Sequence, residues 1–177
     1  PCLGEYGAAF APFLADFPPC RHLAYLPDVA RLEWAIHRAQ HADDAVPLRA
    51  RALAEIDPER VGDLTFRFDP SLALVDSRWP VEAIWRAHQG TGEIDPVDLD
   101  AGGAFVQVHR RDDGILVRAL TPDVHAFRRA LAEGGRLAVA VASAAAVVAA
   151  FDLVEALHAL FREDVLTGFT LSPKEHS

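Results

Sequence analysis

The sequence predicts an α+β protein with N-terminal helices, a small antiparallel sheet and a C-terminal winged-helix-like domain. Three observations carry that expectation. Apolar residues recur at helical spacing near both ends of the chain. The period changes to alternation at Leu64, Phe66 and Phe68, with Thr65 and Arg67 between them. Two further alternating runs, Phe105–Arg110 and Ile115–Leu120, flank the turn Arg111-Asp112-Asp113-Gly114, whose Asp-Gly pair tolerates the positive φ of a hairpin.

Taken in order, residues 4–17 read as a short amphipathic helix with Tyr6, Phe10, Phe13, Leu14 and Phe17 on its apolar side, stopped by Pro18-Pro19. The stretch Tyr25–Ala42 is the expected central helix. Val29, Leu32, Ile36 and Ala39 form its stripe, widened by Ala30, Glu33 and Trp34. Pro27 and Asp28 suit its first turn, because proline has no N–H to lose there and the carboxylate meets the positive end of the dipole. Asp43, Asp44 and Pro47 close it, and a second short helix is expected over Leu48–Ile56, followed by a turn at Asp57-Pro58. Strand Leu64–Phe68 turns at Asp69-Pro70-Ser71 and returns over Ser71–Val75 as a hairpin. Trp79 is extended before Pro80, which opens a helix with Val81, Ile84, Trp85 and His88 on one face.

The polar, acidic, glycine-containing stretch after Gln89 reads as a linker. The expected organisation is a helical region with a short hairpin over 1–90, a linker loop over 91–103 and the winged-helix-like domain over 104–177. Within the last, Thr121 caps a helix whose first residue is Pro122 and whose inward residues are Val124, Phe127 and Leu131. Gly134-Gly135 end it. The alanine-rich helix from Leu137 to about Ala149 is expected to pack on several sides. Asp152 caps a further helix with Leu153, Leu157 and Leu160 inward, and Leu166–Leu171 is a final strand.

The 177 residues are 51% hydrophobic, enough for a sizeable core, and their net charge is −9. That charge opposes unassisted binding to DNA or anionic membranes. The chain has no methionine and begins with Pro1, as a fragment, processed form or trimmed piece would. Cys2 and Cys20 lack metal spacing and are expected to be reduced thiols. The most apolar run, Leu137–Phe151, is about fifteen residues against the ~20 of a membrane span. No secretion signal is visible, so a cytoplasmic location without membrane attachment is expected.

No catalytic residue, metal site or cofactor is assigned. Glu33, His37 and His41 lie four apart on one helix face, and two such histidines can chelate a metal ion. They lack the HExxH pattern, and a solvated face is the simpler reading. Cys20 and His22 are two apart, a spacing that does not make a thiolate–imidazole pair. Asp95, Asp98 and Asp100 lack the EF-hand order and its closing glutamate. Ser143 has no GxSxG context, and no glycine loop could cradle a phosphate. The helices over 122–133 and 137–149 are a poor DNA reader, because Leu137–Ala150 contains no arginine, lysine, asparagine or glutamine. Glu33, amid apolar neighbours, is expected to be a buried carboxylate with a structural partner. Trp34 and Trp85 are expected in the core.

The stretches EYGAAFAPFLADFP, YLPDVARLEWAIHRAQHADDA, SRWPVEAIWRAHQ and DLVEALHALFREDVLTGFTL, with the alanine-rich helix before the last, resemble the HvfC/BufC family. Its members often carry a DNA-binding label, and it is related to the partner subunit MbnC of methanobactin biosynthesis. The resemblance covers nearly the whole chain. Members usually have an additional N-terminal helical domain, which bears that label; it is expected to be missing here except for its last helix.

The resemblance implies a non-catalytic partner of a TIM-barrel enzyme with a multinuclear iron centre. Such enzymes oxidatively modify cysteines of a ribosomally made precursor peptide, and the partner helps to present the peptide's leader. The implied mode is a leader strand added to a sheet edge beside a helix-lined groove. The candidate peptide contacts are Phe105, Val106, Val108, Leu116, Val124 and Phe127, in a groove between the hairpin Phe105–Leu120 and the helix after Pro122, with Val108 on an edge strand. Tyr25 and Trp79 are candidate contacts to the enzyme. The alternative is a DNA-binding transcriptional regulator whose basic domain lies upstream of this chain.

Overall fold

A computed structural model of the chain describes residues 3–90, 96–112 and 114–171. Its α-helices are α1 (Leu3–Asp16), α2 (Leu26–Gln40), α3 (Val81–Ala87), α4 (Pro122–Ala132), α5 (Leu137–Ala145) and α6 (Leu153–Arg162). Its strands are β1 (Leu64–Phe68), β2 (Ala73–Ser77), β3 (Ala104–Arg111), β4 (Gly114–Leu120) and β5 (Leu166–Leu171). The fold is α+β, with antiparallel sheets.

The chain forms two units that interleave in sequence. One comprises the residues up to Ala42 with Ala73–Leu120, and the other Asp43–Leu72 with the residues from Thr121 onward. This corrects the division into 1–90, 91–103 and 104–177. The reason is strand pairing. β1 does not return as a hairpin with β2; it pairs with β5, Phe66 opposite Phe169, while β2 pairs with β3, Val75 opposite Val106. The hairpin β3–β4 therefore shares a three-stranded sheet with β2, in the order β2-β3-β4. The strand pair that accompanies α4, α5 and α6 in their unit is β1–β5, not that hairpin.

In the first unit α2 is the hub, touching α1, α3 and all three strands. Leu32, Ala35 and Ala39 pack with Val75, Val81, Val106 and Val108. Two expectations for the helices fail. Glu33 is exposed, so the buried carboxylate does not exist. On α1 the inward residues are Ala11 and Leu14, whereas Phe10, Phe13 and Phe17 are exposed and stack on one another, with centroids 6.3 and 5.0 Å apart. α1 approaches α2 through Gly7, whose missing side chain makes room for the Trp34 indole. Trp34 and Trp85 are half-buried rather than enclosed. β3 is buried on both faces, Val106 and Val108 alternating with Gln107 and His109.

The second unit is built around Phe127, Leu131, Leu137, Leu160 and Leu166, all enclosed with Leu64 and Phe66. Each such side chain contributes roughly 2–3 kcal/mol of burial. The expected helix over Leu48–Ile56 is only a 3-10 turn at Ala50–Leu53. α5 ends at Ala145 and buries one stripe, Leu137, Ala140 and Ala144, leaving Val139 exposed. Asp152 caps α6 as expected, accepting from the Glu155 amide at 3.0 Å. At the other end of α6, Glu163 receives both terminal nitrogens of Arg128 at 2.6 and 3.0 Å, in a pair that is almost wholly enclosed. Among the described residues no helix is long and apolar enough to cross a membrane.

Two predictions arise from the second unit. Removing the carboxylate of an enclosed, bidentate pair takes two charge-assisted hydrogen bonds from Arg128, so Glu163→Ala is expected to cost about 3–5 kcal/mol in urea unfolding. The Thr121 hydroxyl, followed by the Val124 amide, holds the Asp123 carboxyl below its ordinary pKa. Folding thus favours its ionised form, and the stabilisation is complete above the ordinary aspartate pKa and lost as pH falls through the folded one. Asp123→Asn should lower stability at pH 7 by about 0.3–1 kcal/mol and have no such effect at a pH below the folded pKa, as read by urea midpoints at the two pH values.

Candidate functional site

The residues proposed from sequence divide between the two units. Phe105, Val106, Val108 and Leu116 belong to the first, Val124 and Phe127 to the second. Val106, Val108 and Phe127 are enclosed completely in the cores of their own units. They hold the fold and present no surface, which corrects their assignment as peptide contacts. Val108 is also not on an edge, since β3 is the central strand. The alternation that marks a strand does not reveal how many neighbours the strand has, so the sequence could not separate edge from centre. Phe105, Leu116 and Val124 remain half-buried.

The structure brings Phe105 together with Trp79. Both line a cleft of about 520 Å³ beside the first turn of α2. Asp28 anchors it. The helix starts at Leu26 with Pro27 in its first turn, and the Tyr25 carbonyl accepts the Asp28 and Val29 amides at 3.0 and 3.1 Å. This orients the Asp28 carboxylate toward the end of β2. There the Ser77 hydroxyl donates to Asp28 Oδ2 at 2.5 Å and accepts the Trp79 N–H at 3.0 Å. Arg31, one turn along α2, pairs with Asp28 Oδ1 at 3.0 Å and reaches the Asp76 carbonyl at 3.4 Å. Arg78 lies over the Trp79 ring, 5.0 Å from its centroid, a cation–π stack that presents a flat charged face.

Tyr25 is half-buried and contributes its backbone to the helix start, but it does not line the cleft. Asp28, Arg31, Ser77 and Arg78 went unassigned in sequence. The only local signal was the i, i+3 spacing of Asp28 and Arg31, which many solvated helices share. Ser77 joins them only through the tertiary contact between α2 and β2.

The arrangement suits binding. The carboxylate and hydroxyl are each satisfied, Arg31 is half exposed, and Arg78 and Trp79 offer a charge stacked on an aromatic plane beside Phe105. An extended segment with an apolar body and a polar or acidic tip fits that chemistry. Asp98 Oδ1 accepts the Asp100 amide at 2.9 Å, as in an ordinary turn; Asp95 and Cys2 lie outside the described residues. No group of three or more histidine, cysteine, aspartate or glutamate side chains gathers as a metal site among the described residues.

Ser77→Ala removes the donor to Asp28 and the acceptor of the Trp79 amide. It is expected to cost about 1–3 kcal/mol, read as a lower urea midpoint; an unchanged midpoint contradicts the network.

Comparison with known proteins finds no matching family model, no matching curated relative and no matching solved structure.

Proposed function

We propose that this chain is a non-catalytic partner subunit that acts in the cytoplasm with an iron-dependent TIM-barrel enzyme, binding the leader of a ribosomally made precursor peptide and presenting its cysteines for modification. The resemblance to the HvfC/BufC family supports the class of partner. The observation that carries the binding mode is the outer edge of β4.

β4 pairs with β3 alone among the described strands, and it is the longest edge strand of the three-stranded sheet. An edge strand offers a row of backbone N–H and C=O groups that an extended peptide can pair with. Ile115, Leu116 and Val117 are half-buried along it, so a docked strand would find apolar side chains next to backbone donors. The cleft with Trp79 and Phe105 belongs to the same unit and offers anchor chemistry for the enzyme or for a peptide side chain. The reading replaces the groove expected between the hairpin and α4 with the β4 edge.

The test begins with co-expression of the tagged chain with an iron-dependent TIM-barrel enzyme, if the same genome encodes one nearby, and with that enzyme's precursor peptide. One stable complex on size exclusion is expected; separate elution with the peptide present overturns the reading. A pair of proline variants then tests the edge. Neighbouring residues of a strand point their N–H groups to opposite sides, so of Leu116→Pro and Val117→Pro one breaks the ladder to β3 and the other removes an outward donor. The folded variant is expected to bind leader peptide about tenfold more weakly by calorimetry, the equivalent of one lost hydrogen bond. Full affinity in that variant removes β4 as the docking edge.

A further inference from the structure

We infer that His37 and His41 form a bidentate site, at the C-terminal end of α2, for a borderline divalent transition-metal ion such as Cu²⁺. The proposal does not depend on the peptide reading. The two side chains are exposed, four residues apart, with ring centroids 4.3 Å from each other. Spacing alone left this as a solvated helix face, and three structural observations add to it.

First, His41 Nδ1 lies 2.8 Å from the His37 carbonyl. A carbonyl only accepts, so Nδ1 carries the proton and the neutral ring keeps its lone pair on Nε2. Ligating histidines are commonly fixed in this way, by a backbone carbonyl on the other nitrogen. Second, the His37 ring stacks on Trp34, with a centroid separation of 5.2 Å and an interplanar angle of 18°, and lies tilted by 39° against His41. Trp34 is itself seated against Gly7 of α1. Part of the rotamer entropy that chelation would cost is therefore already lost. Third, the backbone around His41, at the end of the helix, is held in place: Arg110 Nη1 donates to the Gln40 and Ala42 carbonyls at 3.3 and 2.8 Å. That guanidinium already occupies the negative end of the helix dipole, so the two imidazoles, not the dipole, supply the attraction for the ion.

Imidazole nitrogens select Cu²⁺, Ni²⁺ and Zn²⁺ over Mg²⁺ and Ca²⁺, with Cu²⁺ bound most tightly. Among the described residues no third histidine, cysteine or carboxylate joins the pair, and Glu33, one turn away, does not. Water fills the remaining coordination positions, so the ion is exchangeable.

The experiment is a Cu²⁺ titration of the whole chain at pH 7.5, followed by calorimetry and by tryptophan fluorescence. Copper close to Trp34 is expected to quench its emission. His37→Ala and His41→Ala should each weaken the tightest site at least about tenfold and abolish that quenching, with the double variant little worse than either. His88→Ala, which removes a histidine whose Nδ1 is likewise bound to a backbone carbonyl, at 2.7 Å, should leave the site unchanged. Far-UV circular dichroism checks that α2 is retained. Wild-type Cu²⁺ affinity in both single variants, or loss of the site in His88→Ala, overturns the proposal.

Discussion

The pairing of β1 with β5 is the constraint from which the rest of the chain path follows. Leu64 lies opposite Leu171 and Phe66 opposite Phe169, so strands about a hundred residues apart must meet. Once β1 is committed to β5, β2 needs another partner and takes β3. The segment from Ala73 to Leu120 then completes the unit begun by α1 and α2, and the chain resumes the second unit at Thr121. Closing so long a loop costs little more than closing a shorter one, since each doubling adds only about 0.6 kcal/mol. The enclosed side chains of Leu64, Phe66 and Leu166 offset that readily. The expected consequence is kinetic, because distant pairings form late.

The same pairing explains where the chain's polar interior lies. Arg128 on α4 and Glu163 after α6 are brought together in the unit that β1 and β5 close, and their bidentate contact is enclosed. Such a pair adds less to stability than its geometry implies, but it penalises any arrangement that separates the two charges. It thereby fixes which end of α6 faces α4. In the other unit the Asp28–Ser77 hydrogen bond does a comparable job at the surface, tying the start of α2 to the end of β2.

Much of this was legible from residue patterns, and the failures share a cause. Helix period, prolines and caps located α2, α4 and α6, and the Asp-Gly turn located β3 and β4, because those signals are local. What was misread was non-local. Phe66 and Val75 read as two arms of one hairpin because they flank a good turn, yet Asp69 and Ser71 turn the chain without pairing its arms. Aromatic spacing put Phe10, Phe13 and Phe17 inward together with Leu14, whereas the close approach at Gly7 leaves only Leu14 of these inside, with Ala11 beside it. Val108 and Phe127 were taken for surface contacts because hydrophobic strand and helix residues look alike in sequence whether they face a core or a partner. The cleft was invisible for the same reason: Asp28 and Ser77 are far apart in the chain.

These corrections narrow the functional argument to one edge. With β3 enclosed on both faces and paired on both sides, a peptide can extend the first unit's larger sheet only at β2 or β4. β2 is shorter, and Arg31 already engages the Asp76 carbonyl at its end. The most direct measurement is amide hydrogen exchange of the whole chain with and without leader peptide. The account predicts slowed exchange at alternate amides of Gly114–Leu120, those pointing away from β3, with α5 and β5 unchanged. Peptide binding that protects α5 or β5 and leaves every β4 amide as it was would contradict it.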